Sequence, residues 1–272
     1  MLSPGDQFEG YTVESVLGRG GYAVVYRAVT PPDGPARRTV ALKVLDERHR
    51  RPADLARLGR EFSFAQRIDH PHVVRMVEAG TYWLTMDFVD GATVGTLTDI
   101  ADRLAALGQI ADALDHIHRA GIVHCDVKPT NILVPTGFAR SAPQRGGAVL
   151  IDFGVAHSLA EDVTKRPTRI EASLPYSAPE LLHGKAPSAA TDEYALACTA
   201  VELIAGRPPF TAHTSMALMD AHLHRTPPRI SREVSWVPHA VDSILSKALA
   251  KDPDGRYPSC TEFVSLITRA LW

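Results

Sequence analysis

His124-Cys125-Asp126-Val127-Lys128-Pro129-Thr130-Asn131, followed by Asp152-Phe153-Gly154, sets two carboxylates, a lysine and an amide in short order along the chain. A transferring phosphoryl group carries spread negative charge, so its site needs a clamped metal, a placed cation and an aligned acceptor hydroxyl. Asp126 can orient that hydroxyl and accept its proton. Lys128, two residues on along an extended segment, can point the same way. Asn131 and Asp152 offer hard oxygen ligands of the kind Mg²⁺ takes. Either aspartate alone could serve as a turn or cap residue. Together the spacing predicts a phosphoryl-transfer site.

Upstream, Tyr11–Leu17 and Tyr22–Ala28 read as strands around Gly18-Arg19-Gly20-Gly21. A glycine turn between two strands differs from a P-loop or dinucleotide fingerprint, where the glycines open a helix. Thr39–Val44 reads as a further strand carrying Lys43, and a helix from about Ala53 to Ile68 carries Glu61. Pairing these two would turn a flexible ammonium into a placed one. Val73–Ala79 and Tyr82–Met86 read as another strand pair turning at Gly80. Beyond Gly91 the period changes. Leu104, Leu107, Ala111, Leu114 and Ile117 recur at helical steps before Gly121, and Thr191–Ala205 does the same before Gly206 and Pro208-Pro209. Ala148–Leu150 is a short strand leading into Asp152, and the Pro/Gly-rich stretch from Pro135 to Gly147 predicts a mobile surface loop.

Composition agrees. A chain of 272 residues, 45% hydrophobic, is long enough for one large or two smaller folding units. Lys plus Arg number 29 against 31 acidic residues, so no global positive field favours nucleic acid. Cys125, Cys198 and Cys260 lack paired spacing and predict reduced thiols rather than disulfides or zinc ligands. The first residues, Met1 to Asp6, lack the basic and apolar regions of a signal peptide, and no apolar run reaches membrane-spanning length. The expectation is a cytoplasmic chain that makes no membrane contact of its own.

Taken in order from about Tyr11 to Leu271, these elements resemble the bacterial eukaryotic-type (Hanks-type) Ser/Thr protein kinases, most like those of actinobacteria and mycobacteria. The resemblance implies an α+β, bilobal fold. An antiparallel sheet plus helix would form an N-lobe of about residues 1–88, followed by a hinge of about 87–91 and a mainly helical C-lobe of about 91–272. It implies ATP and Mg²⁺ or Mn²⁺ as cofactors and Ser/Thr hydroxyls of proteins, including its own, as acceptors in signalling. Gly18, Gly20 and Val25 would cover the nucleotide. Lys43, held by Glu61, would contact its phosphates. Met86 would back the purine pocket, with the main chain of Asp87 and Val89 on the adenine edge. Asp126 and Lys128 would be catalytic, Asn131 and Asp152 would hold metal, and His124 would be scaffold. Ser177-Ala178-Pro179-Glu180 resembles the end of an activation segment, in which Ser173 would contact Asp126 and Lys128. Thr164, Thr168 and Ser173, with Ser158, are phosphorylation candidates. Glu180 and Arg256 would pair inside the C-lobe, and Asp192 would bond the catalytic-loop backbone.

Two positions depart from the pattern. Ala23 stands where a third glycine is usual, and Cys125 stands where an arginine usually precedes the catalytic aspartate, the non-RD variant. Rival readings are a pseudokinase scaffold and a small-molecule phosphotransferase of related fold. Relatives include homodimers formed through the N-lobe and catalytic domains tethered by a transmembrane helix, so the cytosolic part of a membrane-anchored kinase is a further expectation.

Overall fold

Valine-rich sequences make Ala23–Val29 and Thr39–Leu45 central strands of an antiparallel sheet. The computed structural model describes residues 1–31, 38–141, 146–158 and 173–272. These form two units, residues 1–69 with 73–90, and residues 70–72 with 91–272.

The first unit contains β1 (Gln7–Phe8), β2 (Tyr11–Arg19), β3 (Ala23–Val29), β4 (Thr39–Leu45), β5 (Met76–Ala79) and β6 (Trp83–Asp87), ordered β1-β2-β3-β4-β6-β5. Tyr11, Val13, Val24, Tyr26, Val40, Leu42, Val44 and Trp83 form its apolar core. Helix α1 (Pro52–Gln66) begins with proline, whose fixed φ and missing N–H suit a helix's first turn. Its buried residues Leu58, Glu61, Phe64 and Ala65 share one face. Strand β1 was not legible from sequence. The strand expected over Val73–Ala79 begins only at Met76, because the chain just before it bonds elsewhere: the His72 carbonyl accepts from Leu150 N at 2.8 Å.

In the second unit α2 (Ile100–Arg119) is capped by Asp99, which accepts from Ala101 N and Asp102 N. Helix α3 (Pro179–Leu182) is short, and α4 (Ala189–Ala205) is buried along almost its whole length and closes on Gly206 at φ 76°. Helices α5 (Ser215–His224), α6 (His239–Ala248) and α7 (Cys260–Leu271) follow, with α7 packed on α2 and α6. Two small antiparallel sheets position the loops. One pairs β7 (Gly91–Thr93), β9 (Ile132–Pro135) and β10 (Val149–Leu150), and the other pairs β8 (Ile122–Val123) with β11 (His157–Ser158). Segments 124–131 and 151–156 are therefore each clamped between paired strands. A Cβ at Gly91 would lie 1.9 Å from the Val134 carbonyl oxygen, so only glycine lets β7 approach β9. Of the loop expected from Pro135 to Gly147, the described ends are held to α2 rather than standing free. Arg140 N donates to Asp102, Ala148 N donates to Gln109, and Phe138 is buried. Residues 142–145 lie outside the described residues.

Glu180 and Arg256 form a buried bidentate pair, both contacts at 2.8 Å. Thr191 donates to the carboxylate, and the guanidinium also bonds the carbonyls of Ala190 and Ala250. Truncating Arg256 to alanine would strand a desolvated carboxylate. Arg256→Ala is expected to cost roughly 3–5 kcal/mol in denaturant unfolding, and an unchanged midpoint would show the pair to be inert.

Glu193 lies on the same buried helix. Its Oε1 accepts from Tyr257 N, and its buried Oε2 has no hydrogen-bond partner among the described residues. Burial pushes its carboxyl up to about 8. A folded state that retains this proton while the unfolded chain has lost it becomes less stable as pH rises from about 4.5 to 8. His222, pulled down by burial to about 4, acts oppositely but only below its ordinary 6.5. Between pH 6.5 and 8 the wild type is expected to lose about 1–2 kcal/mol of stability through Glu193. Glu193→Gln should abolish that slope in urea titrations; an equal fall in the variant would refute the assignment.

Candidate active site

In the first unit Lys43 lies on β4 opposite Val25 of β3 and Leu84 of β6. Its Nζ donates to Glu61 Oε1 at 2.6 Å and Oε2 at 2.8 Å. Glu61 is buried among the apolar residues of α1, so the ammonium is fixed by a carboxylate that cannot swing into solvent. Gly18 pairs with Val25, and Gly20 N donates to the Ala23 carbonyl, closing the glycine turn. A Cβ at Gly18 or Gly21 would meet nothing within 4 Å. The turn thus has open space around it on the described residues. Met86 is buried. Asp87 N donates to the Arg75 carbonyl and its carboxylate binds the Arg75 guanidinium, which narrows any main-chain contact by Asp87 to its carbonyl. Val89 follows the end of β6.

In the second unit Asp126, Lys128, Asn131 and Ser173 form one connected cluster. Lys128 Nζ donates to Asp126 Oδ2 and to Ser173 Oγ, both at 2.7 Å. Asn131 Nδ2 donates to Asp126 Oδ2 and to the Asp126 carbonyl, both at 2.9 Å. Those two bonds commit the amide nitrogen and leave the Asn131 oxygen as its outward ligand atom. Among the described residues Asp126 Oδ1 receives only the longer contact from Ser173 N, at 3.4 Å. Asp152 adopts a left-handed φ of 69°, and its Oδ1 accepts from Gly154 N at 3.2 Å. An amide oxygen and a carboxylate suit a hard divalent cation such as Mg²⁺ or Mn²⁺. Ile151 N bonds the Asn131 carbonyl at 2.9 Å, tying the two segments together next to those ligands.

His124 is fully buried. Its Nδ1 accepts from Asp126 N at 3.3 Å, which fixes the tautomer so that Nε2–H donates to the Ile151 carbonyl at 3.2 Å. The ring packs edge-on against Phe153, 4.9 Å between centroids. Beneath it, Asp192 accepts from His124 N at 2.8 Å, Cys125 N at 2.7 Å and His118 Nε2 at 2.8 Å. Burial alone would raise this carboxyl, but the bond and charge of His118 and the neighbouring His124 hold it below its ordinary value. Cys125, at φ 65°, is buried, and burial with the Asp192 and Asp126 charges pushes its thiol well above the ordinary range. It is neutral.

The sequence reading singled out Lys43, Glu61, Asp126, Lys128, Asn131, Asp152 and Ser173. The structure pairs the first two and joins Asp126, Lys128, Asn131 and Ser173 in one network, with Asp152 next to Ile151. Thr164 and Thr168 lie outside the described residues, while Ser158 is in β11. Two partnerships went unread. His118 sits one position beyond the apolar stripe of α2, which gives no sign of its bond to Asp192. Tyr176 donates a very short hydrogen bond to Glu202 of α4, which anchors the turn after Ser173. Only an aromatic residue flanked by proline hinted at that.

Residues 11–266 match the family described as protein kinase domain. The chain is similar to the serine/threonine-protein kinase PknJ of Mycobacterium tuberculosis, 36% identical over 284 residues that cover 100% of this chain and 47% of that protein. It is similar to PknF of the same organism, 34% identical over 292 residues, 99% of this chain and 58% of PknF. PknD, also from Mycobacterium tuberculosis, is 34% identical over 280 residues, 98% of this chain and 40% of PknD. The chain spans about half the length of the curated relatives it matches. Among the described residues no helix is long and apolar enough to cross a membrane.

Proposed function

The chain belongs to the protein kinase domain family, and on that premise we propose that it transfers the γ-phosphoryl group of ATP to serine or threonine hydroxyls of proteins, its own among them. The observation that carries this reading is the Asp126–Lys128–Asn131–Ser173 network, which joins a carboxylate, a cation and an oxygen ligand at bonding distance. Oδ2 of Asp126 is occupied by Lys128 and Asn131, so Oδ1 is the oxygen left to orient the acceptor hydroxyl and take its proton. As the bond from the acceptor's hydroxyl oxygen to phosphorus forms and its proton passes to Asp126, the bond from phosphorus to the β–γ bridging oxygen breaks and ADP departs. Lys128 meets the charge on the transferring group, and its bond to Ser173 holds it there. Lys43 places the phosphate tail and Glu61 places Lys43. A divalent cation held by Asn131 and Asp152 would neutralise the phosphate oxygens. Gly18, Gly20 and Val25 cover the nucleotide, and the Asp87 carbonyl and Val89 main chain take its adenine edge. The intact network favours a catalyst over a pseudokinase scaffold.

Asp152→Asn and Lys43→Met should each lower phosphotransfer by roughly 10²–10³-fold with the fold retained. The assay is incubation with ATP and Mg²⁺ or Mn²⁺, read as phosphosites by mass spectrometry, and near-normal rates in either variant would overturn the reading. As further parts of the same proposal, the domain works in the cytosol, free or anchored to a membrane, and pairs through its sheet-bearing unit.

Cys125 makes the chain a non-RD kinase in this reading. A neutral buried thiol cannot make the charge-assisted contact by which an arginine there would bind a phosphate. Phosphorylation of Thr164 or Thr168 is therefore not the on-switch. Thr164→Ala/Thr168→Ala is expected to retain most activity on an added protein substrate, and Cys125→Arg to make activity depend on those threonines. A large loss in the double-alanine variant, with ATP binding unchanged, would refute this.

A further inference from the structure

Cys260, the first residue of α7, is buried against the last turn of α2. Asp115 and His118, three residues apart on one face of α2, complete a cluster whose ligand atoms all lie within 4.8 Å of one another. Asp115 already accepts from Cys260 N at 2.9 Å through Oδ1 and from Thr261 N at 3.0 Å through Oδ2, and so caps α7. Each carboxylate oxygen has a second lone pair, so the cap leaves acceptor capacity unused. His118 donates Nε2–H to the Asp192 carboxylate, which leaves Nδ1 as the ring nitrogen for a metal. A buried carboxylate behind a histidine is the support that metal-bound imidazoles usually have.

Two carboxylates lie at the cluster, Asp115 within it and Asp192 behind His118. A divalent cation held there would deprotonate a coordinating thiol. Asp115 and His118 are only partly buried.

We propose that Asp115, His118 and Cys260 form a zinc site in the helical unit, separate from the phosphoryl-transfer residues, with water as fourth ligand. Sulfur and imidazole ligands select zinc over Mg²⁺ or Ca²⁺. A tetrahedral zinc centre spaces its N, O and S ligands about 3.3–3.6 Å apart. From 4.8 Å the cluster closes to that size by shifts of about 1–1.5 Å between its ligand atoms. Spacing in the sequence concealed it, because the cysteine comes from a different helix than the Asp-x-x-His pair.

The test uses the whole chain without nucleotide. Co²⁺ replacing zinc should produce a thiolate-to-metal charge-transfer band, and competition by Zn²⁺ should remove it at one equivalent. Because the thiol proton must leave, zinc affinity should rise about tenfold per pH unit between pH 6.5 and 8. Cys260→Ser and Cys260→Ala keep the Asp115 cap and should lose the band and at least about tenfold in affinity, whether or not phosphotransfer is altered. Absence of the band in the wild type, its persistence in folded Cys260→Ala, or an affinity flat with pH would each overturn the proposal.

Discussion

The carboxylate of Asp192 is the constraint on which the site rests. It is wholly buried, and its three bonds go to two backbone amides of the loop that carries Asp126 and to His118 on α2. An isolated carboxylate at such depth would cost several kcal/mol in desolvation. Here it is saturated by donors, and its charge does structural work by drawing two successive N–H groups towards one point. Successive amides converge in this way only where the backbone leaves regular structure, which is why Cys125 takes a left-handed φ of 65°.

The other buried charges obey the same rule of full satisfaction. Glu180 takes a bidentate arginine and a hydroxyl, and Glu61 accepts from one lysine through both oxygens. Glu193 breaks the rule with one oxygen that has no partner among the described residues, and burial pushes its carboxyl up to about 8. Donor supply therefore sorts Asp192, held below its ordinary value, from Glu193 on the same helix. That sorting follows from partner count and cannot be inferred from the letter Glu.

Legibility in the sequence divides along the same line. Helices α2 and α4 were plain because their apolar faces repeat every three or four residues and each ends at a left-handed glycine, Gly121 or Gly206. The cluster around Asp126 was approachable because Asp126, Lys128 and Asn131 lie within a few residues of one another, the last at the end of a 3₁₀ turn. Ser173 was reached only through family resemblance, and His118 and Tyr176 not at all, because their partners, Asp192 and Glu202, are distant along the chain. Strand β1 was missed for another reason: two residues cannot establish a period. A local pattern reports local geometry, and side-chain bonds between helices leave no period behind.

Left-handed residues mark the points where the fold is bent to present the site. Cys125 immediately precedes Asp126, and Asp152 at φ 69° is itself a proposed ligand. For an L-residue this conformation costs roughly 1–2 kcal/mol, which glycine would avoid. Glycine at 152 would remove the carboxylate, whereas aspartate is among the few side chains that occupy the region readily, helped here by accepting from Gly154 N. At 125 no such help is available from the side chain, whose thiol reaches only the Val123 carbonyl at 3.7 Å. The conformation there is enforced from outside, by Asp192 on the amide of Cys125 and by His124 Nδ1 on the next amide. The two bends thus have different causes: residue 152 carries its own stabilisation, and residue 125 borrows it from α4.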